Sequence, residues 1–246
     1  GKGTRDLWVA DADGTGAERV LDCTDPCTQM DHPAWSPDGR TLAYTTWDLV
    51  DGTNVHARLA LLDLATRRMR TILTVKDDRD ALAWPRWSPD GRRIVVEMQR
   101  WSDTSSNADL TGTAIGVVNV DDATPAWKPI TGLPAWATYP DWHPTQDLIV
   151  FSTRPWDDLD TGPSNLFTIR PDGSRLTEVT RFAEGESRAV QPTWTPDGRQ
   201  IIFTKVEGTG FGSPTMATIL PDGTGMTSAI TSGPMFGTHP RLRPTP

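Results

Sequence analysis

Two of the four histidines, His32 and His239, occupy the same kind of position, each directly before a proline. Neutral imidazole is a good ligand for transition metals, so the pair suggests a shared divalent metal ion, with Gln191 or Asp31 assisting. Such a site would support metal-assisted chemistry. The alternative, which we favour, is that these are ordinary polar residues that cap a water-filled channel.

Both histidines precede copies of one internal repeat. Each of the first four copies carries a Trp, at 35, 87, 142 and 194, and the fifth has Leu242 there, giving spacings of 52, 55, 52 and 48 residues. A repeat with this period is typical of propellers and solenoids. The copies are PAWSPDGRTLAYT (33–45), PRWSPDGRRIVVE (85–97), PDWHPTQDLIVFS (140–152), PTWTPDGRQIIFT (192–204) and the degenerate HPRLRP (239–244).

Each copy predicts a hairpin. A short strand carries the Trp, Pro-Asp-Gly forms a turn, and an alternating apolar strand follows. The copies at 140–152 and 239–244 lack Asp-Gly, so their hairpins should differ. The four repeat Trp residues should be core, and His143 should lie at the turn end of its hairpin.

Counting strands predicts the architecture. Two further strands follow each hairpin, and the chain contains five first, third and fourth strands but four second strands, the missing one falling just before residue 1. We therefore predict an all-β, single-domain propeller of five four-stranded blades, closed by N- and C-terminal strands that share a blade. A six-bladed ring is the alternative. The blades are predicted at about 32–76, 84–132, 139–183, 191–233, and 238–246 with 1–24.

The W-S-P-D-G turn, the following I/L-x-F/Y strand and the D-x-D-G or P-D-G hairpin resemble the TolB-type propeller repeat over nearly the whole chain. The resemblance implies the propeller fold and export. That family includes exported binding proteins, sensor domains, peptidase propellers and oligogalacturonate lyases, the last with a metal held by channel histidines and a Gln. The G-x-S-x-G elbow of a peptidase's hydrolase domain is absent from the sequence.

Aligning the copies predicts a ring of five side chains at one end of the channel. The residue before the first Pro of each copy varies in type, whereas the scaffold residues repeat. Loops at that end of a propeller usually carry function. The aligned ligand-binding candidates are His32, Trp84, Tyr139, Gln191 and His239.

Aromatic residues beside acidic ones mark the loops after the second strands, WDLVDG (47–52), WSDTSSNAD (101–109) and WDDLDTG (156–162). Trp47, Trp101 and Trp156 begin these loops, and Trp136 should lie nearby. Aromatic faces of this kind suit cations, sugars or a peptide. The alternative is that each Trp packs between blades while the acids solvate the loops.

Composition excludes two classes of partner. The net charge is −8, without a cluster of Lys or Arg, which disfavours nucleic acid, and no apolar run of about 18 residues predicts a membrane span. The two cysteines, in CTDPC (23–27), are either free thiols or a short-range disulfide, and a disulfide would indicate export.

Three functions follow, in order of preference. The first is a non-catalytic binding propeller, bacterial and exported to the periplasm, cell surface or medium, which binds a protein partner or a carbohydrate at the channel mouth and is monomeric. The second is a metal-assisted lyase or hydrolase that acts on a polysaccharide through His32 and His239. The third is a sensor domain of a longer polypeptide.

Overall fold

The structure, a computed structural model, describes residues 6–24, 27–50, 53–105, 108–153, 163–208 and 214–228. These residues form eighteen strands and no helix. The strands are β1 (Leu7–Val9), β2 (Glu18–Leu21), β3 (Cys27–Trp35), β4 (Thr41–Val50), β5 (Thr53–Asp63), β6 (Met69–Thr74), β7 (Asp80–Trp87), β8 (Arg93–Trp101), β9 (Leu110–Asn119), β10 (Lys128–Pro129), β11 (Thr138–Trp142), β12 (Ile149–Ser152), β13 (Leu166–Ile169), β14 (Thr177–Glu178), β15 (Ser187–Trp194), β16 (Ile201–Glu207), β17 (Pro214–Ile219) and β18 (Thr227–Ser228).

The strands pair as four antiparallel sheets of four strands, each a meander in chain order, and one two-stranded sheet, β1–β2. This matches the predicted blade plan, in which the first and second strands form a hairpin and two further strands follow. The four sheets begin up to five residues before the predicted blade starts. The β1–β2 pair corresponds to the predicted third and fourth strands of the closing blade. Residues 238–246 lie outside the described part, so five blades and ring closure stay predictions.

The hydrophobic core is divided among the gaps between successive sheets. One cluster packs β1–β2 against the first sheet, and three more fill the gaps between the first and second, second and third, and third and fourth sheets. The first strands β3, β7, β11 and β15 contact one another in that order. We call these four strands the inner wall, because the first strand of each sheet contacts the first strand of the next.

The repeat Trp residues are not uniformly buried, as the core prediction required. Trp142 and Trp194 are 4% exposed, whereas Trp35 is 41% exposed. Trp87 is half-buried, and its Nε1 donates a hydrogen bond of 3.1 Å to the Ala34 carbonyl of the preceding inner strand. The prediction is therefore wrong for Trp35. The repeat Trp packs toward the preceding sheet, and for Trp35 the equivalent inner strand would belong to the predicted closing blade, outside the described residues.

The hairpin turns have the predicted chemistry. In the first, the Asp38 carboxylate accepts hydrogen bonds from the Ser36 hydroxyl (2.6 Å) and the Arg40 N–H (3.1 Å), and Gly39 takes φ +68°. These bonds hold the pKa of Asp38 below its usual value. The second and fourth turns repeat the pattern around Asp90 and Asp197.

The third turn differs, as its sequence predicts. His143 lies at the turn end and its Nδ1 accepts hydrogen bonds from the N–H groups of Thr145 (3.1 Å) and Gln146 (3.0 Å), replacing the aspartate. The proton is therefore on Nε2, which donates to the Gly198 carbonyl at 3.1 Å in the next turn. Burial lowers the pKa of His143, which is consistent with a neutral ring.

Cys23 and Cys27 form a disulfide that links the end of the β1–β2 unit to the start of β3. The Cys23 N–H also donates a hydrogen bond of 2.9 Å to the Asp6 carboxylate. The bridge therefore fixes the two-stranded sheet to the first four-stranded sheet. No helix among the described residues has the length and apolar character needed to cross a membrane.

Candidate binding site on the inner wall

Four of the five aligned residues have the same unusual backbone conformation. Each has positive φ, a conformation that residues other than glycine seldom adopt, and each precedes a proline, which normally favours extended backbone. Each also lies in a register shift between the first and second strands of its sheet, where a β-bulge inserts one extra residue. The residues and φ values are His32 (54°), Trp84 (53°), Tyr139 (51°) and Gln191 (55°).

We call these four residues the mouth. Along the inner wall three of their side chains meet in series. The rings of His32 and Trp84 have centroids 3.9 Å apart at 55°, and those of Trp84 and Tyr139 lie 5.1 Å apart at 58°. All three side chains are half-buried, whereas Gln191 is buried. The bulges thus bring three rings from three sheets into contact in a row.

A second set of residues lies beside the mouth on the neighbouring strands, and the sequence analysis missed it. These residues lie opposite the residue that precedes each mouth residue, and all are buried and polar. The signal available in the sequence was a polar residue within an otherwise apolar strand, as at the end of RRIVVE. The residues are Thr45, Glu97, Ser152 and Thr204.

Glu97 makes the clearest supporting contacts. Its carboxylate is fully buried and accepts hydrogen bonds from the Thr138 hydroxyl (2.6 Å) and the Tyr139 N–H (2.9 Å) of the next sheet. The Gln99 amide donates a third bond at 2.9 Å. Since the bonds to the next sheet end on the bulge itself, Glu97 holds Tyr139 in its positive-φ conformation.

His32 is supported within its own sheet. Its Nδ1 lies 3.1 Å from the Thr45 hydroxyl, which in turn donates a hydrogen bond of 3.2 Å to the Asp31 carbonyl. A metal ion would therefore have to bind through Nε2. Among the residues that the structure describes, no group of three or more His, Cys, Asp or Glu side chains is placed to hold a metal. His239 lies outside them, so the predicted metal pair stays a prediction.

Beneath the mouth, ionic contacts join the second, third and fourth sheets. Arg86 Nε lies 3.5 Å from Asp141 Oδ1, and Asp141 Oδ2 accepts hydrogen bonds of 2.9 Å from the Thr193 hydroxyl and the Trp194 N–H. Burial lowers the pKa of Arg86, and the charge of Asp141 opposes that shift. Arg86, Asp141 and Thr193 each follow the first Pro of their repeat copy. The sequence analysis aligned the residues before that Pro but did not consider those after it.

The other predicted aromatic residues do not form one group. Trp47 packs against the core between the first and second sheets, as the blade-packing alternative requires. Trp101 is half-buried at the end of β8, and its backbone N–H donates a hydrogen bond of 2.9 Å to the Arg79 carbonyl. Trp136 is half-buried in the turn before β11 with φ 61°. Trp156 lies outside the described residues.

Several acids near these loops are paired with cations. Arg58 binds both carboxylate oxygens of Asp48, and this guanidinium holds the pKa of Asp48 below its usual value. Arg100 contacts Asp77 and Asp80, and burial raises the pKa of Asp80. The predicted loop at 47–52 is strand up to Val50, so Asp48 and Asp80 lie in strands, and the acidic character expected from the sequence is partly neutralised there.

Comparison with known proteins agrees with the predicted propeller fold. A family model described as the TolB beta propeller domain matches residues 2–233. The Tol-Pal system protein TolB of Francisella tularensis subsp. holarctica (strain OSU18) is 26% identical over 198 residues, which are 80% of this chain and 40% of that protein. The protein of the same name from Alcanivorax borkumensis is 30% identical over 94 residues, 38% of this chain and 19% of that protein. The chain thus spans about two fifths or less of these curated relatives.

Solved structures share the fold. A putative TolB from Agrobacterium tumefaciens superimposes with a TM-score of 0.66 at 20% identity, covering 91% of this chain and 73% of the other. An oligogalacturonate lyase in complex with manganese has a TM-score of 0.64 at 17% identity, covering 92% and 59%. One fold therefore accompanies different activities, and function has to be argued from the site.

Proposed function

The chain belongs to the TolB β-propeller family, and from that premise we propose that it is a non-catalytic binding propeller that takes a segment of a protein partner at the mouth. The observation that carries the proposal is the contact series His32–Trp84–Tyr139 on three positive-φ residues. Backbone in this conformation costs about 1–3 kcal/mol per residue and is usually retained where function requires it.

The geometry of the rings favours a polypeptide over a carbohydrate. Sugar-binding platforms offer a flat aromatic face, whereas these rings meet at 55° and 58° and partly cover one another's faces. Rings tilted in this way present edges as well as faces, and Trp and Tyr are enriched among the anchors of protein interfaces. Carbohydrate binding is the alternative.

Export is part of the proposal. Disulfides persist in oxidising compartments, and Cys23–Cys27 is such a bond. The curated relatives are named as proteins of the Tol-Pal system, which suggests a periplasmic location in a bacterium. We further propose that the chain acts as a monomer and does not bind nucleic acid.

The test is a selection from a random linear peptide library, with a glycan array in parallel. We expect enriched peptides whose affinity falls at least about tenfold in Trp84→Ala, the cost of losing one well-packed aromatic anchor. Trp8→Ala is the matched control, because Trp8 is 60% exposed on β1 in a different sheet.

An equal loss in both variants, or none in either, would mean that peptides bind away from the mouth. Binding of glycans alone, sensitive to Trp84→Ala, would replace the protein partner by a carbohydrate at the same site.

A further inference from the structure

Arg86 has fewer partners than a buried cation normally requires. Its side chain is 18% exposed. Its Nη1 donates to the carbonyl of its own neighbour Pro85 at 2.6 Å, and its Nε lies 3.5 Å from Asp141. It makes no other hydrogen bond or ion pair with the described residues. A guanidinium has five N–H donors, and since no Arg86 nitrogen is among the buried atoms that lack a hydrogen-bond partner, its unused donors reach solvent and are open to a ligand.

Asp141 does not depend on Arg86 to the same extent. Its Oδ2 accepts two hydrogen bonds of 2.9 Å from the fourth sheet, which stabilise the carboxylate independently of the guanidinium. The 3.5 Å contact is also longer than the usual charge-assisted hydrogen bond of about 2.7–2.9 Å. The pair is therefore loose on the side of the arginine.

The position of Arg86 relates it to the mouth. It lies two residues beyond Trp84 on β7, on the far side of the bulge, where strand pairing resumes opposite Val95. Asp141 lies two residues beyond Tyr139 on β11. The second and third sheets thus place an aromatic pair, Trp84–Tyr139, next to an ionic pair, Arg86–Asp141, along the same inner wall.

We propose that Arg86 is an anion subsite of the mouth and binds a carboxylate of the docked polypeptide, either its C-terminal carboxylate or an acidic side chain. This inference rests on the function proposed above. The planar guanidinium offers parallel N–H donors that match the two oxygens of a carboxylate, and the partly buried surroundings strengthen that contact. The subsite makes the mouth selective for the charge at one point of the ligand.

The experiment uses short peptides as probes and the indole N–H resonance of Trp84 as the reporter. Four probes are titrated separately: Ac-Ala-Ala-Ala with a free C-terminus, the same tripeptide as its amide, Ac-Ala-Glu-Ala amide and D-galacturonate. We expect saturable shifts with a dissociation constant of roughly millimolar order from one or both carboxylate peptides, since so small a ligand makes few contacts. The neutral amide should give no saturable shift.

Arg86→Lys keeps the positive charge but loses the two-pronged donor geometry, and should weaken the carboxylate peptide about tenfold or more. Arg86→Gln should abolish the response. Arg93→Gln is the matched control, because Arg93 is also half-buried but lies at the turn end, paired with Asp147 at 3.0 Å. Circular dichroism checks that each variant is folded. If Arg86→Gln does not fold, the result for Arg86→Lys decides the outcome.

The free acid and the glutamate peptide tell which kind of carboxylate is preferred, and either supports the subsite. Equal responses to acid and amide, a response to galacturonate alone, or an equal loss in Arg93→Gln would overturn it. If library peptides bind through Trp84 while acid and amide do not differ, the binding function stands and the subsite fails. If the acid binds but no library peptide does, the subsite stands without the proposed function.

Discussion

At the turn end of the inner strands the positive-φ position is held by glycine, as at Gly39 and Gly198, whereas at the mouth it is held by residues with large side chains, as at His32 and Trp84. Glycine adopts this conformation without strain, and other residues do so at a cost of about 1–2 kcal/mol. The turn bonds are mostly local, joining residues two to five apart, while Glu97 reaches the next sheet. The contrast indicates that the turn end is built for stability and the mouth for presenting side chains.

The largest expected effect comes from removing the cross-sheet support of the mouth. Glu97→Ala should lower the free energy of unfolding by about 3 kcal/mol or more, because it leaves the buried Thr138 hydroxyl and Tyr139 N–H without their acceptor. Urea unfolding measures the loss. Glu97→Gln, which keeps the volume and one acceptor oxygen, should lose less.

Ser152→Ala provides the matched control for that change. Ser152 occupies the corresponding position in the third sheet, but its buried hydroxyl has no hydrogen-bond partner among the described residues. Its removal should change stability by less than about 0.5 kcal/mol. Comparable losses in Glu97→Ala and Ser152→Ala would show that the cross-sheet bonds do not matter.

A smaller effect separates two glycines of the turn end. Both have φ +68°, but a Cβ on Gly39 meets nothing within 4 Å, whereas a Cβ on Gly198 would collide with the His143 ring. Gly39→Ala should therefore cost about 0.5–1 kcal/mol, and Gly198→Ala about 1–3 kcal/mol more because of overpacking. Thermal or urea unfolding of both variants makes the comparison.

His143→Ala in the Gly198→Ala background should recover the part of the loss due to the collision. If Gly39→Ala and Gly198→Ala lose the same stability, the His143–Gly198 contact contributes nothing to the turn end and only the φ cost applies.

The smallest effect probes the strain at the mouth directly. His32→Ala and His32→Gly both remove the ring contact with Trp84, but alanine keeps the strained backbone and glycine relieves it. The glycine variant should be more stable by about 0.5–1 kcal/mol, the relief of strain less the entropy that glycine gains on unfolding. Equilibrium unfolding of the pair measures the difference, and a more stable alanine variant would mean that residue 32 is not strained.

The sequence predicts most of the turn end and only the location of the mouth. Pro-Asp-Gly has a local mechanism, so the hairpins and even the exceptional turn at His143 could be anticipated. Aligning residues before proline located His32, Trp84 and Tyr139. Their positive φ contradicts the ordinary preference of that position for extended backbone, because the bulge overrides it.

The remaining features depend on the neighbouring sheet and were not predictable from a single repeat. Glu97 is a charged residue at the end of an apolar run, and its partners, Thr138 and Tyr139, belong to the next sheet. Trp35 has the same motif as Trp194 but is far more exposed, since burial of this residue is decided by the sheet that precedes it. Trp47 likewise packs in an intersheet core that a loop motif does not reveal.

The bulges also determine how this surface can be rewritten. Each contributes one side chain from one sheet, and the strand pairing resumes in register on either side of it. A mouth residue can therefore be exchanged without repacking the intersheet cores, one sheet at a time. The choice of residue types is restricted, because the branched Cβ of Val, Ile and Thr is poorly compatible with positive φ, whereas Gly, Asn and Asp tolerate it. Specificity in such a propeller can therefore evolve, or be designed, by choosing one residue in each sheet from the types other than Val, Ile and Thr.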